Sequence, residues 1–360
     1  MPVKFTHNSL MMTNLRNTAL FFIRLLTIII LSSCNESPAN KTADAVQKKD
    51  STVVTNKTLL LTATIKLPGV KGGFDLMAID AASQRLFLAA EDNHSVEVID
   101  IKNSLLITSL PGFNEPKWIV YRPETNRLYV ATGGDGKVTV LDATTYKPIK
   151  SFSFKEKCNN LRFDTTAQQL YVGVGKTFGS IGIIDVKNDK IINEIPLADF
   201  PKQFELDGNK IYVNLPSKNS IAVIDRTTKK VMASWPVTAS TENVPMALDK
   251  AHHRLFLACE PGKFIVFNTE TGKSVANLTI SKTADGIYLD AKRSLIYISC
   301  GEGFIEVIHQ KDADQYISLD KIETVKGAGT SLFSAAFNRL FLAVPKTETN
   351  PAELRVYTAN

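Results

Sequence analysis

One phrase recurs along this chain of 360 residues: RLFLAAEDNHSVEVID from Arg85, RLYVATGGDGKVTVLD from Arg127, RLFLACEPGKFIVFN from Arg254 and RLFLAV from Arg339. Taking the aromatic of each copy gives Phe87, Tyr129, Tyr171, Tyr212, Phe256, Tyr297 and Phe341, spaced 41 to 44 residues apart. A repeat of that length made of helices would space its apolar residues about 3.6 apart. Here the runs are short and alternating, and turn residues break them, which is the pattern of propeller blades.

Each unit divides into four strands. In the second, PKWIVYRP is the innermost, RLYVAT the next, GKVTVLD the third and PIKSFSF the outermost. The turn before the outer strand opens on Asp100, Asp142, Asp185, Asp225 or Asn268. A carboxylate or amide oxygen there accepts backbone N–H groups two residues on and sets the turn, so these residues read as structural. The seventh unit has TSLFSA, RLFLAV and ELRVYTAN but no outer strand, while TLLLTATIKLPG, 58–69, stands unclaimed before the first complete unit. Threading it onto the last blade closes the ring and leaves no broken edge. The expectation is an all-β fold, a seven-bladed β-propeller over 58–360, its ring closed by the N-terminal strand.

RLYVATGGDGKVTVLD and KIYVNLPSKNSIAVID resemble the YVTN repeat of YncE-like seven-bladed propellers, with Tyr129, Tyr171 and Tyr212 in the nearest copies. No unit spells YVTN itself, and neither a WD40 Trp-Asp pair nor a kelch diglycine series is present. The resemblance implies a secreted or periplasmic binding protein and marks no catalytic motif.

Ahead of the propeller, residues 1–33 read as a lipoprotein signal peptide: basic residues, a short apolar run from Leu25 to Leu31, then Leu31-Ser32-Ser33-Cys34. That run is too short to span a bilayer of about 30 Å. LSSC resembles the lipobox of bacterial lipoproteins, whose peptidase would cut before Cys34 and leave it to be acylated, an anchor of more than the two hydrophobic signals lasting attachment needs. Arg24 within the apolar region departs from that pattern. Residues 34–57, polar and without periodicity, read as the lipidated cysteine and a flexible tether. The location expected is the cell envelope, on a membrane and facing the periplasm or the cell surface.

The formal charge of +6 includes Lys4, Arg16 and Arg24 of the leader, so the remainder carries about +3. That is too mild to indicate nucleic acid by charge alone. Cys158, Cys259 and Cys300 leave at least one thiol unpaired; Cys259 and Cys300 occupy the same small-residue slot of neighbouring blades and read as buried thiols.

Function, in a propeller, sits where loops converge on the channel. Counting back from the aromatics places Asp75, Lys117, Asn159, Lys202, Val244, Asp285 and Gly329 in a ring at the channel mouth. Polar residues of both signs there suit a small polar or zwitterionic ligand, or a partner's charged tip. Trp118 is either a recognition anchor at the mouth or an inter-blade core side chain, and His94 is the histidine on a loop of that face. Lys71, Lys117, Lys157, Lys176, Lys202, Lys263 and Lys326 point weakly to nucleic acid, but Glu91, Asp135, Glu260, Asp285 and Glu302 largely cancel them. The favoured reading is a monomeric, non-catalytic binding module with no cofactor, attached to the membrane through Cys34, its partner a protein, glycan or nucleic acid. The alternative is a lactonase-like, metal-assisted hydrolase, with Asp75, Asp285, Glu91 and Asp135 offering oxygen ligands to Ca²⁺ or another divalent metal.

Overall fold

The computed structural model describes residues 57–360 apart from Ala239. The expected signal peptide, Cys34 and the tether up to Asn56 lie outside the described residues. Those described form seven four-stranded antiparallel sheets. The inner strands of blades 1 to 7 are Met77–Asp80, Pro116–Arg122, Cys158–Asp164, Phe204–Asp207, Met246–Asp249, Ala284–Asp290 and Ser331–Ser334. Leu59–Leu67 is the outer strand of blade 7, pairing antiparallel with Ala352–Ala359 so that Leu59 faces Ala359 and Leu67 faces Ala352. The ring closes as the repeat predicted.

The core is a set of apolar layers between blades, and the repeated aromatic explains it. Phe87 packs into the layer between blades 1 and 2, Tyr129 between 2 and 3, and Tyr171 between 3 and 4. Tyr212, Phe256, Tyr297 and Phe341 continue the series, the last meeting blade 1. All seven are at most 2% exposed. Each blade therefore plugs its neighbour, and the phrase recurs because each interface poses the same packing problem.

Outer strands run from the base of the ring towards the mouth, and at the base arginines tie blades together. Arg85 bonds Asp80 of its own blade at 2.8 Å and donates to Ala143 O (2.7 Å) and Tyr146 Oη (3.0 Å) of blade 2. Arg226 of blade 4 pairs with Asp164 of blade 3 and donates to Tyr171 Oη at 3.1 Å. The turn residues act as expected: Asp142 Oδ1 accepts from Thr144 N and Thr145 N at 3.0 and 2.7 Å. Cys158, Cys259 and Cys300 are buried and unpaired, and burial pushes the Cys259 thiol up to about 12.

Every outer strand also has a register break, unforeseen in the sequence, that leaves one extra residue beside its partner strand. These are Ile107, Ile149, Ile192, Met232, Val275, Leu319 and, in blade 7, Thr62.

Candidate functional site

Bulges also set the channel mouth. At the top of the inner strand in blade 2 the register shifts between Pro116 and Trp118, and in blade 6 between Ala284 and Gly286. Lys117 and Asp285 are the extra residues, and a bulge re-aims the side chain it carries. Asp75 holds the matching place in blade 1, its N–H bonded to Ala89 O at 2.9 Å and its Oδ1 accepting from Leu76 N at 2.9 Å.

These residues meet. Lys117 Nζ pairs with Glu91 Oε1, from the loop above, and lies 3.8 Å from Asp75 Oδ2. Asp285 Oδ2 accepts from Thr330 Oγ1 at 2.9 Å, and Thr330 Oγ1 also lies 3.1 Å from Phe74 O. Gln203 links blade 4 to blades 5 and 6, taking Met246 N on Oε1 at 3.1 Å and donating Nε2 to Asp285 O at 3.3 Å. The side chains of Asp75 and Lys117 keep 18% and 16% of their surface.

Burial holds the Asp75 carboxyl well above its usual range, and the charges of Asp285 and Glu91 add to it while Lys117 opposes them. Asp285 is raised for the same first reason, against the Thr330 hydrogen bond and the charges of Lys202 and Lys117. Burial works against the Lys117 ammonium, but Glu91 and Asp75 outweigh it and raise its pKa. The three carboxylates thus press on one another across the mouth with two lysines between them.

Above Asp285 and Thr330 opens a pocket of about 590 Å³ bordered by Phe74, Lys282, Glu302 and Lys326. Gly329 makes room for it: a Cβ there would stand 3.3 Å from Asp285 Cβ, Gly301 N and Thr283 O alike. Below the mouth a second cavity of about 480 Å³ lies in the channel, walled by Trp118, Arg162, Tyr288, Gln203 and Glu205 of blade 4, and apolar residues of the other six blades. Arg162 stacks on the Trp118 ring at 4.4 Å and bonds Glu205 Oε1 at 2.7 Å. Tyr288 donates to Ser331 O at 2.6 Å, and its phenol is raised by burial.

Of the residues singled out from sequence, Asp75, Lys117 and Asp285 come together, and Lys202 contributes charge to Asp285 from blade 4. Trp118 both packs into the layer between blades 2 and 3 and walls the channel below the mouth. Asn159, like Asp75, Lys117, Lys202 and His94, lines neither cavity. His94 takes Glu115 N on Nδ1 at 3.3 Å and joins the loops of blades 1 and 2. Asp135 is engaged by Thr132 Oγ1 at 2.5 Å and Lys137 Nζ at 2.8 Å. Among the described residues, no three His, Cys, Asp or Glu side chains converge in a metal-holding arrangement. Thr330, Gln203, Arg162, Glu205 and Tyr288 were missed; Thr330 and Gln203 each directly follow a ring position, which was the available signal. Of the scattered lysines, Lys157 pairs with Glu115 at 3.2 Å, and Phe178 on the Gly175–Gly179 loop is 77% exposed.

A ring of seven such sheets around a central channel is a seven-bladed β-propeller. In fold and repeat the chain resembles the YncE-like propellers. YncE of Salmonella typhi, an uncharacterized protein, is 29% identical over 98 residues, 27% of this chain and 28% of that one. Antigen Lp49 of Leptospira interrogans is 23% identical over 224 residues, 56% of this chain. The chain thus spans 28% and 48% of the lengths of these relatives. No family model matches. Among solved structures, a chain of Kuenenia stuttgartiensis hydrazine synthase superposes with a TM-score of 0.69 at 17% identity, covering 81% of this chain and 96% of that one. One of the mitotic checkpoint complex gives 0.70 at 14%, covering 92% and 99%. Both likenesses are of fold alone.

Proposed function

We propose that this chain is a lipid-anchored, extracytoplasmic binding module whose channel mouth takes a small zwitterionic ligand or the charged tip of a partner. The observation that carries the reading is the convergence of Asp75, Glu91, Lys117 and Asp285 from three blades, with Asp285 lining an open pocket. Asp75 and Asp285, held above their usual range chiefly by burial, gain from an incoming cationic group, and Lys282 and Lys326 border the pocket for its anionic counterpart. The LSSC motif supports acylation of Cys34, and an antigen among the relatives fits display outside the cytoplasm. The pairing of Lys117 and Lys157 with carboxylates weighs against a nucleic-acid face.

Native mass spectrometry of the purified chain, alongside calorimetric titration with free amino acids, tests the site. Binding that the Asp75→Asn/Asp285→Asn variant loses at least tenfold is the expected result. Equal binding by the variant refutes the mouth as the site. Stabilisation by Ca²⁺ alone, lost in that variant, favours the hydrolase alternative instead. Incorporation of labelled palmitate, abolished by Cys34→Ser, tests the anchor.

A further inference from the structure

The rim of the ring is unevenly apolar. The register break in each outer strand accounts for the exposed Ile107, Ile149, Met232, Val275 and Leu319, about one per blade. Blades 6, 7 and 1 add four more that no such break explains, Ile317, Leu60, Leu61 and Leu105, whereas the other four blades together add one on an outer strand, Val231 of blade 4. Together Ile317, Leu319, Leu60, Leu61, Leu105 and Ile107 are 38% to 51% exposed and occupy three neighbouring blades. Each lies in the half of its outer strand nearest the base, because these strands begin there, at Tyr316, Leu59 and Leu105. Thr58 ties the middle of the three blades to the first, its N–H and Oγ1 reaching Asp320 Oδ2 at 3.4 and 3.0 Å.

The chain enters the propeller in the middle of this strip. Cys34 precedes Thr58 by a segment of 23 residues, 35–57. Even fully extended, such a segment reaches no farther than about 80 Å. A propeller held that close meets the bilayer at high effective concentration, so a modest apolar contact suffices to seat it. Pairing of the strip with a second copy, edge to edge, is opposed by the register breaks in all three outer strands.

We infer that the lower rim of blades 6, 7 and 1 rests in the interfacial layer of the membrane that carries the anchor. The inference depends on the anchor proposed above. Strands that start at this contact end at the mouth, so the channel opens on the side away from the lipid.

The test uses the full acylated chain in phosphatidylethanolamine–phosphatidylglycerol vesicles, with an environment-sensitive fluorophore on Leu61→Cys, Leu319→Cys or, as a control on the mouth face, Lys282→Cys. The three native thiols are buried and stay unlabelled. A blue shift, and quenching by a lipid-borne nitroxide at positions 61 and 319 at least threefold above that at 282, is the expected result. Equal quenching at all three sites on an acylated, vesicle-bound chain overturns the inference and leaves the anchor standing. A chain that takes up no palmitate refutes the anchor and the docking together. A shift that rises with protein concentration in the absence of vesicles assigns the strip to self-association and likewise overturns the inference.

Discussion

Asp75 makes the electrostatics of the mouth measurable. Its folded-state pKa lies above that of the unfolded chain, so its contribution to stability is complete below about 4 and is lost as pH rises through the folded value. Asp285 behaves in the same direction, with Lys117, Lys202 and Glu91 as the other charges facing the pair. Asp75→Asn has no proton to lose. The variant should therefore melt higher than the natural chain at pH 8, by about 2–4 °C for each kcal/mol relieved, and level with it near pH 4. Carboxylates held low at the base, Asp80 and Asp164 among them, weaken both proteins equally in acid and cancel from the comparison. Calorimetry across that range checks it, and a gap that is the same at both pH values sinks the account. Gly329→Ala should displace Asp285, cost about 1–3 kcal/mol and weaken ligand binding, which titration and melting together detect. Counting along the repeat found Asp75, Lys117 and Asp285, since each unit numbers its inner strand alike. It could not find that Thr330, rather than Asn159, completes the cluster. Which ring residues touch depends on the bulges and on the tilt of each blade, and neither leaves a residue-type signature.

Between elements, the strongest local ties are the basal arginines. Arg226 reaches Asp164, Tyr171 Oη and, at 2.6 Å, Gly208 O. Asp164 lies low in pKa despite the burial that opposes it, held there by Ala167 N and Arg226. Arg226→Ala should cost about 2 kcal/mol at neutral pH, and less below the Asp164 pKa, where the abandoned carboxylate is protonated. Denaturant midpoints of the two proteins at pH 7 and pH 3 decide it. Tyr171→Phe removes only the hydroxyl and should cost under half as much. The aromatics were legible because seven interfaces repeat one packing solution. The arginines were not, because their partners lie in the neighbouring blade, some 58 to 62 residues away and in either direction: Arg85 bridges ahead to Ala143 and Tyr146, Arg226 back to Asp164, and Arg254 ahead to Asp314.

At the scale of the whole ring, closure is the feature on which the rest depends. Ile65 and Leu67 are wholly buried, in the layer shared by blades 7 and 1. Ile65→Ala should cost about 2–5 kcal/mol, as much as a core truncation in an inner strand. Circular dichroism should show the entire molecule melting earlier in a single transition, and a separate early loss of blade 7 alone would contradict a cooperative ring. Closure was readable from sequence because a strand lacking a blade and a blade lacking a strand stood at opposite ends of the same repeat. It also orders events in time. Leu59 emerges from the ribosome before any other strand residue described here, yet its partner Ala359 is made 300 residues later. All the contacts of highest sequence separation fall on this one seam, and such contacts slow folding. The earliest strand must then wait, unpaired, while six complete blades assemble behind it, and the propeller becomes a ring only once Ala352–Ala359 has been made.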